Sequence, residues 1–329
     1  MNLIVLRKDV MALTVEVLGP AGGDSAALVR VDSGQAIHRL LFDCGEGCLA
    51  SLDHAEVMQV DRVFFSHFHM DHVAGFDALF RATFSRPEPM HAAGPEGTAR
   101  ILHHRFRGYL WNLHHGLAGR WLVEDVSPDL VARWRFEAGE AFETAHPEPG
   151  RPFAGRIAQE ADYSVEAYIM DHGTPSLAYI VRTPTRRNID PAKLAALGRP
   201  PGPWLKELKA GRGEPELVKS LIVETPGEAV AYLTDFLMDD AAMDRLAPAL
   251  AGCATVICES QYRASDVALA AANKHMTCAQ AAELARRADV GELVLFHLSS
   301  RYTPPEWREM LAEAQAVFPR TRFPSHWGS

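Results

Sequence analysis

Val63-Phe64-Phe65-Ser66-His67-Phe68-His69-Met70-Asp71-His72 is the stretch that decides how this 329-residue chain is read. The apolar run Val63 to Ser66 predicts a buried strand, and the residues after His72 predict the start of a helix. Three histidines and an aspartate therefore fall on a strand-to-helix turn, where neighbouring side chains converge on one point. Imidazoles with a carboxylate suit zinc, and two donor sets packed this closely predict two metals sharing a bridging water. A histidine-rich surface turn is the plainer alternative. It is disfavoured because further donors follow downstream, each closing an apolar strand: His172 after Tyr168-Ile169-Met170, Asp235 after Tyr232-Leu233-Thr234, and His297 after Leu293-Val294-Leu295-Phe296.

Composition sets the frame for that site. With 33 Lys and Arg against 42 Asp and Glu, the formal net charge is −9, which argues against general coating of nucleic acid but leaves room for a local basic site. One such stretch runs from Arg182 to Arg212, with eight basic residues and two acidic ones; on charge alone it reads as a solvated excursion. Five cysteines (Cys44, Cys48, Cys253, Cys258 and Cys278) form no disulfide framework, so a reduced, cytoplasmic protein is expected. No segment is apolar enough for long enough to span a membrane. The start, Met1 to Arg7, is too short and too soon charged for a signal peptide, and Met11 is an alternative start.

Strands are expected at Leu13–Leu18, Ala27–Val31, Leu40–Phe42, Asp162–Met170, Leu177–Val181, Ala229–Leu233, Val256–Glu259 and Leu293–Phe296. Helices are expected at Phe76–Phe84, near Thr98–Phe106, and at Ala279–Ala288 behind a Thr277/Gln280 capping box. Another opens at Thr303, Pro304 and Glu306. Residues 86–150 parse poorly. Strands first, helices interleaved and donors at strand ends predict an α/β sandwich.

The motifs resemble the metallo-β-lactamase superfamily and, within it, the ribonuclease Z group. His-x-His-x-Asp-His stands intact as His67, His69, Asp71 and His72. The histidine before Gly-x-Pro-Ser matches His172, and the bridging aspartate matches Asp235. The final histidine of His-x-Ser-x-Arg-Tyr matches His297, and Phe-Asp-Cys-Gly-Glu-Gly matches Phe42 to Gly47. The resemblance runs from about Leu13 to Tyr302 and is poor between about 85 and 160. It implies an αββα sandwich as a single domain over 1–329, with a divergent insertion region at 86–150 and a basic exosite-like arm at 184–218.

The same resemblance implies the roles. His67, His69 and His172 hold one Zn2+, Asp71, His72 and His297 the other, and Asp235 bridges; Mn2+ or Fe2+ are alternative metals. Asp71 counts among the catalytic residues, and a bridging hydroxide attacks phosphorus. Asp43 orients a ligand histidine from behind. His275, in His275-Met276-Thr277, matches the family's general acid, with Glu259 holding it, although Cys258 and Met276 stand where the family has His and Ser. Arg186, Arg187, Lys206 and Lys209 lie on the arm that grips transfer RNA phosphates. The expected partners are a phosphodiester, the 3′ end of precursor transfer RNA among the candidates, and a second copy of the chain in a homodimer. Asp235 argues against a β-lactamase, and His69 against a diiron redox site. The acidic charge, Cys258 and Met276 favour an alternative on the same fold, an arylsulfatase-like or other small-ester hydrolase. A non-catalytic RNA-binding relative would have lost donors, and all seven are present.

Overall fold

A computed structural model describes residues 12–327. The stretch Met1–Arg7, read as no signal peptide, and the alternative start Met11 lie outside them. The first sheet places eight strands side by side in chain order: β1 (Ala12–Leu18), β2 (Ala26–Asp32), β3 (Ile37–Phe42), β4 (Arg62–Phe64), β5 (Met90–Pro95), β6 (Arg120–Val126), β7 (Leu130–Glu137) and β8 (His146–Pro152). β3 to β6 run parallel, and the flanking pairs are antiparallel. Helices α1 (His54–Met58), α2 (Met70–Val73), α3 (Phe76–Thr83) and α4 (Thr98–Phe106) lie in its connections.

The second sheet begins with β9 (Arg156–Gln159), β10 (Ser164–Asp171) and β11 (Pro175–Arg182) as an antiparallel meander. The chain then leaves through β12 (Arg186–Ile189), α5 (Pro191–Ala196), α6 (Trp204–Lys209), α7 (Pro215–Leu221) and β13 (Ile222–Thr225). It returns as β14 (Ala229–Leu233), antiparallel to β11. Next come α8 (Asp240–Leu250), β15 (Thr255–Glu259), α9 (Val267–Ala272), α10 (Cys278–Ala288), β16 (Glu292–Phe296), α11 (Pro304–Val317) and β17 (Thr321–Arg322). β14 to β17 are parallel, and the order across the sheet is β17-β16-β15-β14-β11-β10-β9.

Alternation along the strands stacks these sheets in four layers. In β14, Val230 and Tyr232 face the other sheet, while Ala229, Ala231 and Leu233 face the helices; in β16, Val294 and Phe296 point one way and Leu293 and Leu295 the other. On the first sheet, Ala27 and Val29 meet the second sheet, whereas Ala26 and Leu28 join the helix-side core with Phe76, Leu79 and Phe80. The α/β expectation and the αββα layering hold. α10 starts behind the expected capping box, with the Thr277 hydroxyl accepting from the Gln280 N–H.

Three expectations change in detail. β4 ends at Phe64, short of Ser66, because the Ser66 N–H turns to the Asp43 carboxylate (2.7 Å). α2 begins at Met70, inside the histidine cluster. Residues 86–150 are no insertion: they supply β5, β6, β7, the start of β8 and α4, and bury Phe106, Trp121, Phe136 and Phe142 in the first core. Their pattern misleads because β8 is an edge strand, where Pro147, Pro149 and Pro152 are tolerated.

The expected arm, 184–218, begins two residues before β12 and ends within α7, short of β13. β12 and β13 form a separate two-stranded sheet, and the excursion opens and closes at neighbours, with the Thr183 N–H donating to the Glu228 carbonyl (2.9 Å). Among the described residues, no helix is long and apolar enough to cross a membrane.

The placement of Trp121 generates a test. Trp121→Ala empties the centre of the first core and is expected to cost about 3–5 kcal/mol, read as a lowered denaturation midpoint; a surface-like loss below about 0.5 kcal/mol would return 86–150 to the status of an appendage.

Candidate metal centre

Strand direction gathers the site. β3 and β4 are parallel and end at Phe42 and Phe64; β14, β15 and β16 are parallel and end at Leu233, Glu259 and Phe296. β10 is antiparallel to β11, which is antiparallel to β14, so β10 points with β14 and ends at Asp171. Asp43, His67, His172, Asp235, Glu259 and His297 all lie at or just past these carboxyl ends, where ligands of open α/β sheets are held.

The side chains converge in three overlapping sets, two of which hold the seven expected donors. His67, His69, His172 and Asp235 form one, Asp71, His72, Asp235 and His297 the other; within each, the donor atoms lie within 4.8 Å of one another. Asp235 Oδ2 is 3.7 Å from His67 Nε2, 3.8 Å from His172 Nε2 and 3.3 Å from His72 Nε2. Asp71 Oδ2 is 3.1 Å from His297 Nε2 and 3.4 Å from His72 Nε2. Zinc bonds of 2.0–2.1 Å at tetrahedral angles separate donors by about 3.3 Å, so this spacing suits a cation between them.

Hydrogen bonds decide which nitrogen faces inward. The Ser66 hydroxyl donates to Asp43 Oδ2 (2.7 Å) and therefore accepts from His67 Nδ1 (3.0 Å). His72 Nδ1 donates to Asp43 Oδ2 (2.8 Å), and His172 Nδ1 donates to the Lys274 carbonyl (2.8 Å). Each ring so held presents its Nε2 lone pair to the site, which is how outer partners set a metal-binding imidazole. Nε2 of His67 and of His72 is buried without any hydrogen-bond partner. A buried polar atom left unpaired is costly, and a divalent cation between these nitrogens and the Asp235 carboxylate would satisfy both. The residues present fit such ions.

The electrostatics agree. Burial, reinforced by His72, pushes the His67 imidazole down to about 2, and burial also lowers His69 and His172. These rings are neutral, the form that binds metal. Burial opposes charge on His72 and His297 as well, yet Asp235 with its neighbouring carboxylates outweighs it and raises both. Asp71 and Asp235 are held low against burial by the histidines facing them. The cluster draws positive charge to itself.

A further pair stands beside the second set. Glu259 is fully buried; its Oε2 lies 2.8 Å from His275 Nδ1, and its Oε1 accepts the Phe236 N–H (3.3 Å). Burial raises the Glu259 carboxyl and lowers the His275 imidazole. The His275 ring lies 4.8 Å from that of His172 and 6.0 Å from that of His297. Three non-glycine residues around the site, Asp43, Lys274 and His297, hold left-handed φ of 57°, 55° and 53°. Such backbone costs energy and collects where side chains must be aimed.

All seven expected donors thus come together, with Asp43 behind His72 and His275 on Glu259. Arg186 and Arg187 on β12 and Lys206 and Lys209 on α6 stand outside the cluster; Arg187 pairs with Glu224 (2.9 Å). The sequence reading passed over Ser66, the Lys274 carbonyl, Tyr179 and Tyr232. The tyrosines carried a signal, since each sits on the inward face of a strand and a buried phenol needs a partner.

Comparison with known proteins closes the argument. Residues 38–185 match the beta-lactamase superfamily domain. A ribonuclease Z of Deinococcus radiodurans is 46% identical over 326 residues, covering 96% of this chain and 98% of that protein. The chain belongs to the ribonuclease Z family. The fold also matches a metallo-β-lactamase-fold protein from Bacillus subtilis (TM-score 0.57, 17% identity, 94% of this chain and 95% of that one). Human tRNase Z, short form, matches with a TM-score of 0.51 and 18% identity over 88% of this chain and 93% of that one. As a ribonuclease Z family member, the protein is a metal-dependent hydrolase, an endoribonuclease.

The shared position of Asp235 in both donor sets is testable. Asp235→Ala is expected to lower the metal bound per chain, measured by atomic emission; metal content equal to that of the wild type would remove Asp235 from the donor set.

Proposed function

We propose that the protein uses two zinc ions to cleave a phosphodiester at the 3′ end of precursor transfer RNA. One observation carries this reading: a single buried carboxylate oxygen, Asp235 Oδ2, lies within 3.8 Å of imidazole nitrogens from both donor sets. Two cations sharing that oxygen would be held by His67, His69 and His172 on one side and Asp71, His72 and His297 on the other. When bound, they lower the pKa of water and withdraw charge from a phosphoryl oxygen. Asp71 and Asp235 offset part of the metal charge. His275, whose Nδ1 shares a proton with the Glu259 carboxyl, would give its Nε2 proton to the leaving alkoxide as the shared proton passes to Nδ1. Arg186, Arg187, Lys206 and Lys209 grip phosphates at a distance from the cleaved bond, and a homodimer brings one copy's arm to the other's site. Support for RNA as substrate comes from the Deinococcus ribonuclease Z, alike over nearly its whole length.

Two substrates separate the roles. His275→Ala is expected to slow cleavage of precursor transfer RNA about 10²–10⁴-fold while leaving bis(p-nitrophenyl) phosphate nearly unaffected, because nitrophenolate leaves without a proton; equal losses on both would refute the acid role. Lys206→Ala with Lys209→Ala should weaken RNA binding and flatten its salt dependence by about two counterions, with turnover of the small diester unchanged. A salt slope equal to wild type would take these lysines off the RNA path. Faster turnover of p-nitrophenyl sulfate than of either phosphodiester would point instead to the small-ester hydrolase.

A further inference from the structure

Tyr179 on β11 and Tyr232 on β14 are direct partners in the strand register and are buried between the sheets. Both phenols cross to the other sheet. The Tyr232 hydroxyl donates to Asp43 Oδ2 (2.8 Å), the oxygen that also receives His72 Nδ1. The Tyr179 hydroxyl donates to the Phe65 carbonyl (2.6 Å), one peptide before Ser66-His67. Their rings pack on the same Phe42 side chain, at 5.4 Å for Tyr179 and 5.6 Å for Tyr232. The connection after β4, which carries the first sheet's donors, and the loop after β3, which carries Asp43 behind them, are therefore each pinned by a phenol from the second sheet.

We infer that Tyr179 and Tyr232 are positioning residues for the metal centre, Tyr232 acting through Asp43 on His72 and Tyr179 through the Phe65–Ser66 peptide on His67. The inference rests on the proposed metal site. Asp43 Oδ2 takes donors from Ser66, His72 and Tyr232. Among the described residues Tyr232 is the second sheet's one hydrogen-bond donor to this carboxylate, so without the phenol the His72 ring loses its aim. The hydroxyls lie in the layer between the sheets, behind the donor set, so neither touches substrate.

The test uses Tyr232→Phe and Tyr179→Phe in the full chain, which keep the rings and their packing. Tyr163→Phe is the control: its hydroxyl is also in the inter-sheet core but serves only Arg62 Nε (3.1 Å). Zinc affinity is read by competition with a chromogenic chelator, coordination from the visible spectrum of the cobalt-loaded protein, and fold from the unfolding midpoint of the apoprotein. Tyr232→Phe is expected to weaken zinc binding about ten- to hundredfold and to alter the cobalt bands, with a midpoint no lower than that of Tyr163→Phe. Tyr179→Phe should weaken binding in the same direction, which keeps the inference open to refutation if Tyr232→Phe fails to fold. Wild-type affinity and cobalt bands in both variants, or an equal affinity loss in Tyr163→Phe, would overturn it while leaving the metal site standing. A wild-type chain that binds no metal would overturn the site itself.

Discussion

A carboxylate with no exposure to solvent, that of Asp43, is the point on which the site is built. It accepts four hydrogen bonds: from the Ser66 N–H at Oδ1, and from the Ser66 hydroxyl, His72 Nδ1 and the Tyr232 hydroxyl at Oδ2. Burying such a group costs several kcal/mol unless its oxygens are paired, so the loops that supply the donors have little freedom to move apart. The backbone follows. Cys44 N–H donates to the His72 carbonyl, Gly75 N–H to the Cys44 carbonyl, and Ser25 N–H to the Asp71 carbonyl. At this crossing a Cβ on Gly75 would come within 2.1 Å of the Gly45 carbonyl oxygen, which is why glycine stands there. The metal-binding turn is thus held from beneath before any ion arrives.

The sequence disclosed the site more fully than the fold because metal donors are few in kind and clustered in spacing. Asp71 with its three neighbouring histidines names a site by composition alone, and His172, Asp235 and His297 each close an apolar run that ends in β10, β14 and β16. Beyond β4, only a strand-like piece at Arg133 to Phe136, within β7, was legible in the first sheet. β5 reads as Met90-His91-Ala92-Ala93-Gly94-Pro95, short of β-branched residues, and β8 is broken by prolines. Such strands form because partners on either side, or an exposed edge, override weak local preference. Ser66 and the two tyrosines escaped for another reason: a hydrogen bond across 189 residues, from Tyr232 to Asp43, leaves no local period to read.

Each proposed metal draws donors from both sheets. His67, His69, Asp71 and His72 come from the connection after β4 in the first, while His172, Asp235 and His297 come from the second. An ion bound between them is therefore also a fastening between the two halves of the sandwich, and its binding free energy adds to folding free energy. The tyrosines work in the same sense from inside the core, so that the layer between the sheets and the layer of donors reinforce one geometry.

The two departures from the family pattern meet in the interior. Cys258 and Met276, standing where the family has His and Ser, contact each other, with Sγ and Sδ 3.4 Å apart. Both are fully buried in the cluster between the second sheet and its helices, on the face of β15 opposite to the core between the sheets. Both are soft, polarisable side chains that pack on each other. The neighbouring residues in sequence, Glu259 and His275, keep their 2.8 Å contact at the strand end. The changed residues therefore belong to the packing behind the Glu259–His275 contact and leave its geometry intact.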